Sequence, residues 1–583
     1  MTLMDTVVGT ALMLVVFLGI FAAFQLSVDV VLNSKARAGA IALANERMEY
    51  IRSLTYAQVG TVGGIPAGII PQTETVVLNG VSYTRRTFIQ YADDSGDGLG
   101  GADTNSITAD YKALRSDVYW TSRGTERHIT VLSRMSPGGN GIETAVPGGT
   151  LTLNVVNSSS QPVSNAQIHV VNSGTTPASL AIDFTTYTNV NGTASFIGAT
   201  TTGAYQITVT KTDYSSDQTY GVTAQNTSPS PAHLIVFPNQ TKTWQFGIDV
   251  LAQKTINTWT PILPATWTDT FTDSSKIASS ATTTVASGVV RLTGSAGSYP
   301  ATGDLQSIAI APTTLSKWKS FSASTSTPAQ TSILFRFYDG SGTTLIPDSA
   351  IPGNSAGIGT STISLLNVST TTYPSIRVAS ILTSASPSVT PSIDSYTISY
   401  DYGPNPLPNV VFTLVGAKTI GTGPSGTQYK YSTSQNSGAG ASVVLPNMEW
   451  DTYEFKSSGS VYDIASACHG VLESPQLLDT STKFSLVAGS QTVSDIYLVA
   501  HSSHALAVDV RSAATGSFIP YATVRLYKTG YDTTQTADRC GQTIFSSLSS
   551  GTYTLVVSAS GYSTSTNGSM SVSGTTRSSV LLN

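Results

Sequence analysis

The sequence predicts one long amino-terminal helix followed by a string of all-β sandwich domains. Three observations carry that reading. Residues 1–54 run without a proline, apolar from Val7 to Phe24 and amphipathic beyond Lys35. From Tyr56 onward Ser, Thr, Gly and Asn alternate with Val and Ile, and charged residues make up 11% of the whole chain, under half the ~25% of an ordinary domain. That mixture favours strands and turns. Finally, 583 residues at 40% apolar content support several cores of ~100–150 residues each and are too apolar for a disordered Ser/Thr tract.

Read as one helix at ~1.5 Å per residue, residues 1–54 span roughly 75–80 Å, longer than one globular domain needs. Asp5 precedes a run without charges, and a carboxylate is expensive in lipid, so a functional partner is expected for it. A signal peptide requires a basic start and a small-residue cleavage site, and neither is present. A plain membrane anchor fits a length of ~18–20 residues. It does not require the amphipathic continuation through Arg37, Glu46, Arg47, Glu49 and Arg52.

Thr2-Leu3-Met4-Asp5 followed by a long apolar helix resembles the mature amino terminus of a type IV pilin. The run from Ala36 through Ala44-Asn45-Glu46-Arg47-Met48-Glu49 resembles the lower half of pilin and pseudopilin helices. The resemblance implies an α+β pilin domain, with an assembly helix over 1–54 and a β head over 55–143. It implies that Met1 is the processed, N-methylated residue released by a prepilin peptidase. It also implies that Asp5, where the family usually carries Glu, meets the positive amino terminus of a neighbouring subunit. Subunit packing then falls to Met1, Asp5, Val7, Val8, Leu12, Val15, Val16, Ile20 and Phe24. A buried pair of this kind forms only when both charges arrive, since either alone costs several kcal/mol. Capping the helix dipole, worth ~0.3–1 kcal/mol, is the lesser role open to Asp5. Two departures stand out: Asp reaches one methylene less than Glu, and Ala22 fills a site where many pilins carry Pro.

In the head, period-two apolar patterns predict strands over 73–77, 81–91, 116–120 and 127–132. Pro137-Gly138-Gly139-Asn140-Gly141 reads as a linker. Beyond it, three segments share one order of motifs. Asn191-Gly192 sits between two strand patterns and leads to Gly203-Ala204-Tyr205; Cys540-Gly541 sits likewise and leads to Gly551-Thr552-Tyr553; a looser copy runs from Pro408 to Trp450-Asp451-Thr452-Tyr453. Asn-Gly joins antiparallel strands, and the alternating Tyr and Val residues face a core. These segments resemble the carboxypeptidase regulatory-like β-sandwich, a seven-strand immunoglobulin-like module, and are placed at 144–248, 404–500 and 501–583. The resemblance implies spacers or binding surfaces without chemistry. Residues 249–403 carry longer strand patterns at 267–271, 288–292, 333–338, 376–381 and 393–402, which suggest a jelly-roll-like sandwich. Its resemblance to carbohydrate-binding and lectin-like sandwiches rests on fold analogy alone.

Chemistry-bearing clusters are few. Asp93, Asp94, Asp97 and Asp103 line a Gly-rich stretch, with Asp110 downstream. Oxygen ligands so close together are a candidate calcium site, though the spacing is not that of an EF-hand, and a solvated acidic turn is the simpler alternative. Cys468 and Cys540, the two cysteines, are expected to pair as a disulfide outside the cytoplasm and to staple the last two modules. His501 and His504 are read as solvent-exposed, since no acid follows at ligand spacing. Asn157, Asn191, Asn226, Asn239, Asn367 and Asn567 each begin an Asn-x-Ser/Thr triplet, which opens surface glycosylation. No catalytic motif or phosphate loop appears. A net charge of -5 without a basic patch argues against nucleic acid.

The expectation is therefore a structural subunit of a type IV pilus-like extracellular filament, built from identical copies and displaying its sandwiches on the cell surface. Before assembly it would sit in the cytoplasmic membrane and meet the pilus assembly machinery. A minor, tip-located pilin acting as an adhesin, its jelly roll binding a glycan or surface ligand, shares every feature. An enzyme displayed on a stalk would need paired carboxylates within 249–403, where acids are sparse, and ranks last.

Overall fold

The computed structural model describes residues 3–94, 96, 98, 107, 109–122, 124–137, 145–176, 181–458, 460–469 and 481–583, without the side chains of 3–8, 468, 469 and 481. Helix α1 spans Leu3–Ser53, and no proline or helix-terminating turn interrupts it. The Ser53 hydroxyl donates to the Tyr50 carbonyl at 2.7 Å as the last turn closes. Strands β1 (Thr73–Leu78), β2 (Val81–Ala92), β3 (Tyr111–Ser122) and β4 (Thr125–Met135) follow as an antiparallel meander in the order β1-β2-β3-β4. Each covers its predicted run and extends it by one to five residues at an end. The expected linker falls mostly within 138–144, outside the described residues.

Three immunoglobulin-like modules then share one topology. In the first, the opening strand Gly149–Val156 lies parallel to the closing strand Thr241–Gly247 and antiparallel to Thr193–Ala199. The facing sheet centres on Gln167–Asn172, between Ile182–Tyr187 and Gln206–Thr210. The third module repeats this with Ala505–Ser512 parallel to Thr575–Leu582, and with Thr523–Lys528 between Tyr531–Thr536 and Gly551–Ser558. Alternate side chains fill each interior: Leu151, Leu153 and Val155 in one, Leu506, Val508 and Val510 in the other. This is the inward alternation expected of two packed sheets.

The second module corrects the sequence reading. Ala252–Trp259, which falls within the sandwich placed at 249–403, lies parallel to Gln491–Ala500 and antiparallel to Ser442–Met448. It is the first strand of the module placed at 404–500. The facing sheet there centres on Val411–Gly416. The jelly-roll-like sandwich is thus an insertion between the first and second strands of that module. Its two ends meet: the Thr260 N–H donates to the Asn405 carbonyl at 2.8 Å, and the Asn405 N–H to Thr260 Oγ1 at 3.2 Å. Its two antiparallel sheets close over Phe271, Trp318, Phe321, Phe335, Phe337 and Tyr396. Inside, the buried Asn354 amide is fully satisfied, bonding both backbone groups of Phe337 and the Ile346 carbonyl at 2.7–2.8 Å.

Polar contacts tie neighbouring units. Gln72 Nε2 donates to the Asp183 carbonyl at 2.7 Å between head and first module. Ser228–Pro229 pairs with Thr419–Gly423 between the first and second. Between the second and third, Ser466 bonds Asp538 and Arg539 bonds Asp495. Lys319 Nζ reaches from the inserted sandwich to the Thr534 carbonyl of the third module at 2.8 Å.

Candidate assembly surface

The candidate site is α1, whose two halves differ. In the lower half Ala36, Ala40, Leu43, Ala44, Met48 and Ile51 are buried, the spacing of one apolar stripe. They pack on Tyr83, Val118 and Trp120 towards the middle of the helix, and on Ile89 and Leu114 towards its end. Polar groups fix the register. Tyr83 Oη donates to the Ala36 carbonyl at 2.9 Å, and Arg85 Nη1 to the Leu43 carbonyl at 2.8 Å. Gly39 makes the first of these bonds accessible, since a Cβ there would stand 2.6 Å from Tyr83 Oη.

A charge network lies under the helix. Glu74 Oε1 accepts from Arg85 Nε at 2.6 Å and contacts the guanidinium of Arg47. Glu46 stands 3.7 Å from Arg85. Burial, with Arg85 beside it, lowers the Arg47 pKa to about 10. Two arginines around one carboxylate are costly to bury unless every partner is in place, so the network selects one seating of helix on sheet. The sequence reading named Arg47 among the charges of the amphipathic run without assigning it to the buried side. Its position four residues from both Leu43 and Ile51, on the buried stripe, was the available signal.

In the upper half every residue from Gly9 to Val28 is exposed. Leu12, Val15, Val16, Ile20 and Phe24 are 59–66% exposed, and Met13, Leu14, Phe17, Phe21 and Leu32 on the other faces are as bare. Gly9–Ser53 is a helix long and apolar enough to cross a membrane. A helix apolar all round belongs inside lipid or a bundle of other helices. Of the remaining predicted residues, Met1 lies outside the described residues, and Asp5, Val7 and Val8 stand on α1 with undescribed side chains.

In the acidic stretch, the Asp94 N–H bonds a carboxylate oxygen of Asp110, and the Gly96 N–H bonds Asp94 Oδ1 at 3.1 Å. Among the described residues no group of three His, Cys, Asp or Glu could hold a metal. Asp97 and Asp103 lie outside them, so the calcium expectation rests on sequence alone. Cys540 packs in the joint between the last two modules with Ala465, Tyr497 and Ile544, and no free cysteine occurs among the described residues. Cys468 stands on Tyr462–His469 with its side chain undescribed. His501 pairs with buried Asp463 at 2.8 Å, a spatial partner that sequence spacing did not show. Asn226 is buried and donates Nδ2 to the Ile420 carbonyl at 2.8 Å, which removes it from the surface asparagines open to glycosylation.

Comparison with known proteins bears on part of the chain. Residues 505–582 match the model of the carboxypeptidase regulatory-like domain, in agreement with the module read there from sequence. No curated protein matches the chain. Among solved structures it is similar to the Bacillus anthracis TIE protein, at 9% identity over 88% of this chain and 73% of that one, with a TM-score of 0.15. It is similar to BcpA, the major pilin subunit of Bacillus cereus, at 9% identity over 75% and 99%, with a TM-score of 0.13. For the shaft pilin SpaA from Lactobacillus rhamnosus GG the identity is 9% over 31% and 87%, with a TM-score of 0.12. These scores are too low to support an argument about fold or assembly.

Proposed function

We propose that this chain is the structural subunit of a type IV pilus-like filament, without chemistry of its own. The upper half of α1 first holds the subunit in the cytoplasmic membrane. After a prepilin peptidase frees Met1, which is then N-methylated, the assembly machinery packs α1 against the helices of identical copies. The head and sandwiches are displayed outside the cell. Assembly is heterologous, each copy offering one surface and receiving on another, which gives an open helix rather than a closed ring. The observation that supports this most is the division of α1: seated on the head by a specific charge network below Ala36, and exposed on every face from Leu12 to Val28.

Asp5 is the residue that tests it. In this reading its carboxylate meets the amino terminus of the neighbouring subunit, so Asp5→Ala leaves membrane insertion intact and abolishes filaments. Normal filaments of that variant in electron micrographs would refute the pairing. The Cys468–Cys540 bridge belongs to the same reading, since an extracellular stalk sits in an oxidising compartment. Two reactive thiols in denatured, unreduced protein would remove it.

A further inference from the structure

A cavity of about 370 Å³ opens where α1 leaves the head, lined by Asn33, Ser34 and Arg37 of the helix and by Trp120, Arg127 and His128 of β3 and β4. Trp120 is 5% exposed, and its indole N–H, a donor, finds no acceptor among the described residues. Asn33 Oδ1, also buried, has no partner there either. Arg37 and Arg127 are exposed and form no ion pair among the described residues; the nearest acids along the chain are Glu126 and, two turns above Arg37, Asp29. His128 stacks on Tyr119 with ring centroids 5.1 Å apart. Two guanidinium groups without an ion pair among the described residues, both lining one cavity, suit an oxygen-bearing anion, and guanidinium matches phosphate in a two-pronged bond.

Position along the helix says where that anion comes from. Gly9 to Val28 covers about 30 Å at ~1.5 Å per residue, the thickness of a bilayer's hydrocarbon core. Arg37 then lies about 12 Å beyond Asp29 along the axis, within reach of the headgroup layer for a side chain that stretches back towards lipid. Tryptophan is at home at that depth.

We infer that this cavity binds the phosphate headgroup of an anionic lipid while the subunit is anchored in the membrane. The inference rests on the membrane stage proposed above. In that state both guanidinium groups take the phosphate oxygens beside the Trp120 ring, which lines the same cavity. The lipid then fixes the depth and tilt at which the head stands over the bilayer.

The test uses the full chain, labelled with ¹⁵N-tryptophan, in bicelles of phosphatidylcholine alone or mixed with phosphatidylglycerol. Six tryptophans give six indole signals, and Trp120→Phe identifies the relevant one. The Trp120 signal is expected to move with phosphatidylglycerol and to stay fixed in phosphatidylcholine. In the Arg37→Gln/Arg127→Gln variant the apparent affinity for phosphatidylglycerol should fall about thirtyfold, at roughly fivefold per basic residue near an anionic surface. A signal identical in both bicelles, with the protein still co-eluting with lipid, overturns the site and leaves the membrane stage standing. A protein that does not enter bicelles at all overturns the membrane stage and the site with it. An equal movement caused by inorganic phosphate in phosphatidylcholine overturns the lipid as the source.

Discussion

Burial leaves Lys112 with a charge it can barely keep. It is 2% exposed, its Nζ donates to the Tyr56 and Val59 carbonyls at 2.6 Å, and desolvation lowers its pKa to about 8. The unfolded chain keeps a lysine near 10.5, so between about pH 8 and 10.5 it binds a proton that the folded head has released. Stability therefore rises with pH across that window. Tyr56 works the other way. Burial first, then Tyr91 and Asp110, push its pKa up to about 12, so the fold favours the protonated phenol and loses stability from about pH 10 to 12. The denaturant midpoint of the head should rise with pH from about 8 to 10, where only Lys112 of these groups titrates, and Lys112→Met should flatten that limb; an unchanged limb in that variant would assign the rise elsewhere. The sequence reading did not find this, because its strand pattern began at Ser116; Lys112 shares the inward parity of Leu114, Val118 and Trp120, but its partners lie elsewhere in the chain. Only the fold brings the 56–59 turn over it. Gly39 and Glu74 were missed for the same reason, since their partners Tyr83, Arg47 and Arg85 are set by long-range packing.

For single elements the sequence was a better guide. The missing proline and the change from apolar to amphipathic predicted α1 to within a few residues, and period-two patterns found every strand of the head. Pairing partners were another matter. Ala252–Trp259 was not among the strand patterns read within 249–403; its neighbour Gln491–Ala500 lies far along the sequence, and periodicity is a local property that says nothing about which edge a strand joins. The tolerance of α1 follows from its seating. Ala40 is fully buried in the cluster that α1 forms with Tyr83, Val118 and Trp120, so Ala40→Leu overfills the contact at a cost of about 1–3 kcal/mol. The denaturant midpoint of the head should fall accordingly, with far-ultraviolet circular dichroism nearly unchanged. No loss would mean the helix sits more loosely than its buried stripe implies.

At the scale of the whole molecule, the insertion is the feature that most changes the picture of domains in a row. Because Thr260 and Asn405 are hydrogen-bonded side by side, residues 261–404 should be replaceable by a short turn without unfolding the host module. Limited proteolysis of that variant is expected to show the host intact. Cleavage within 405–500 would show that the sandwich is an integral part of its host. The insertion also decides what happens when the molecule is pulled. In all three modules the first and last strands run parallel and adjacent, so tension between chain ends draws them past one another and loads the whole ladder of hydrogen bonds at once. The inserted sandwich branches off beyond Trp259, past the paired stretch, so its own strands are no part of that ladder. A subunit held by its helix and tugged from its far end would stretch as three locked modules, while the largest of its sandwiches adds no rung to any of them.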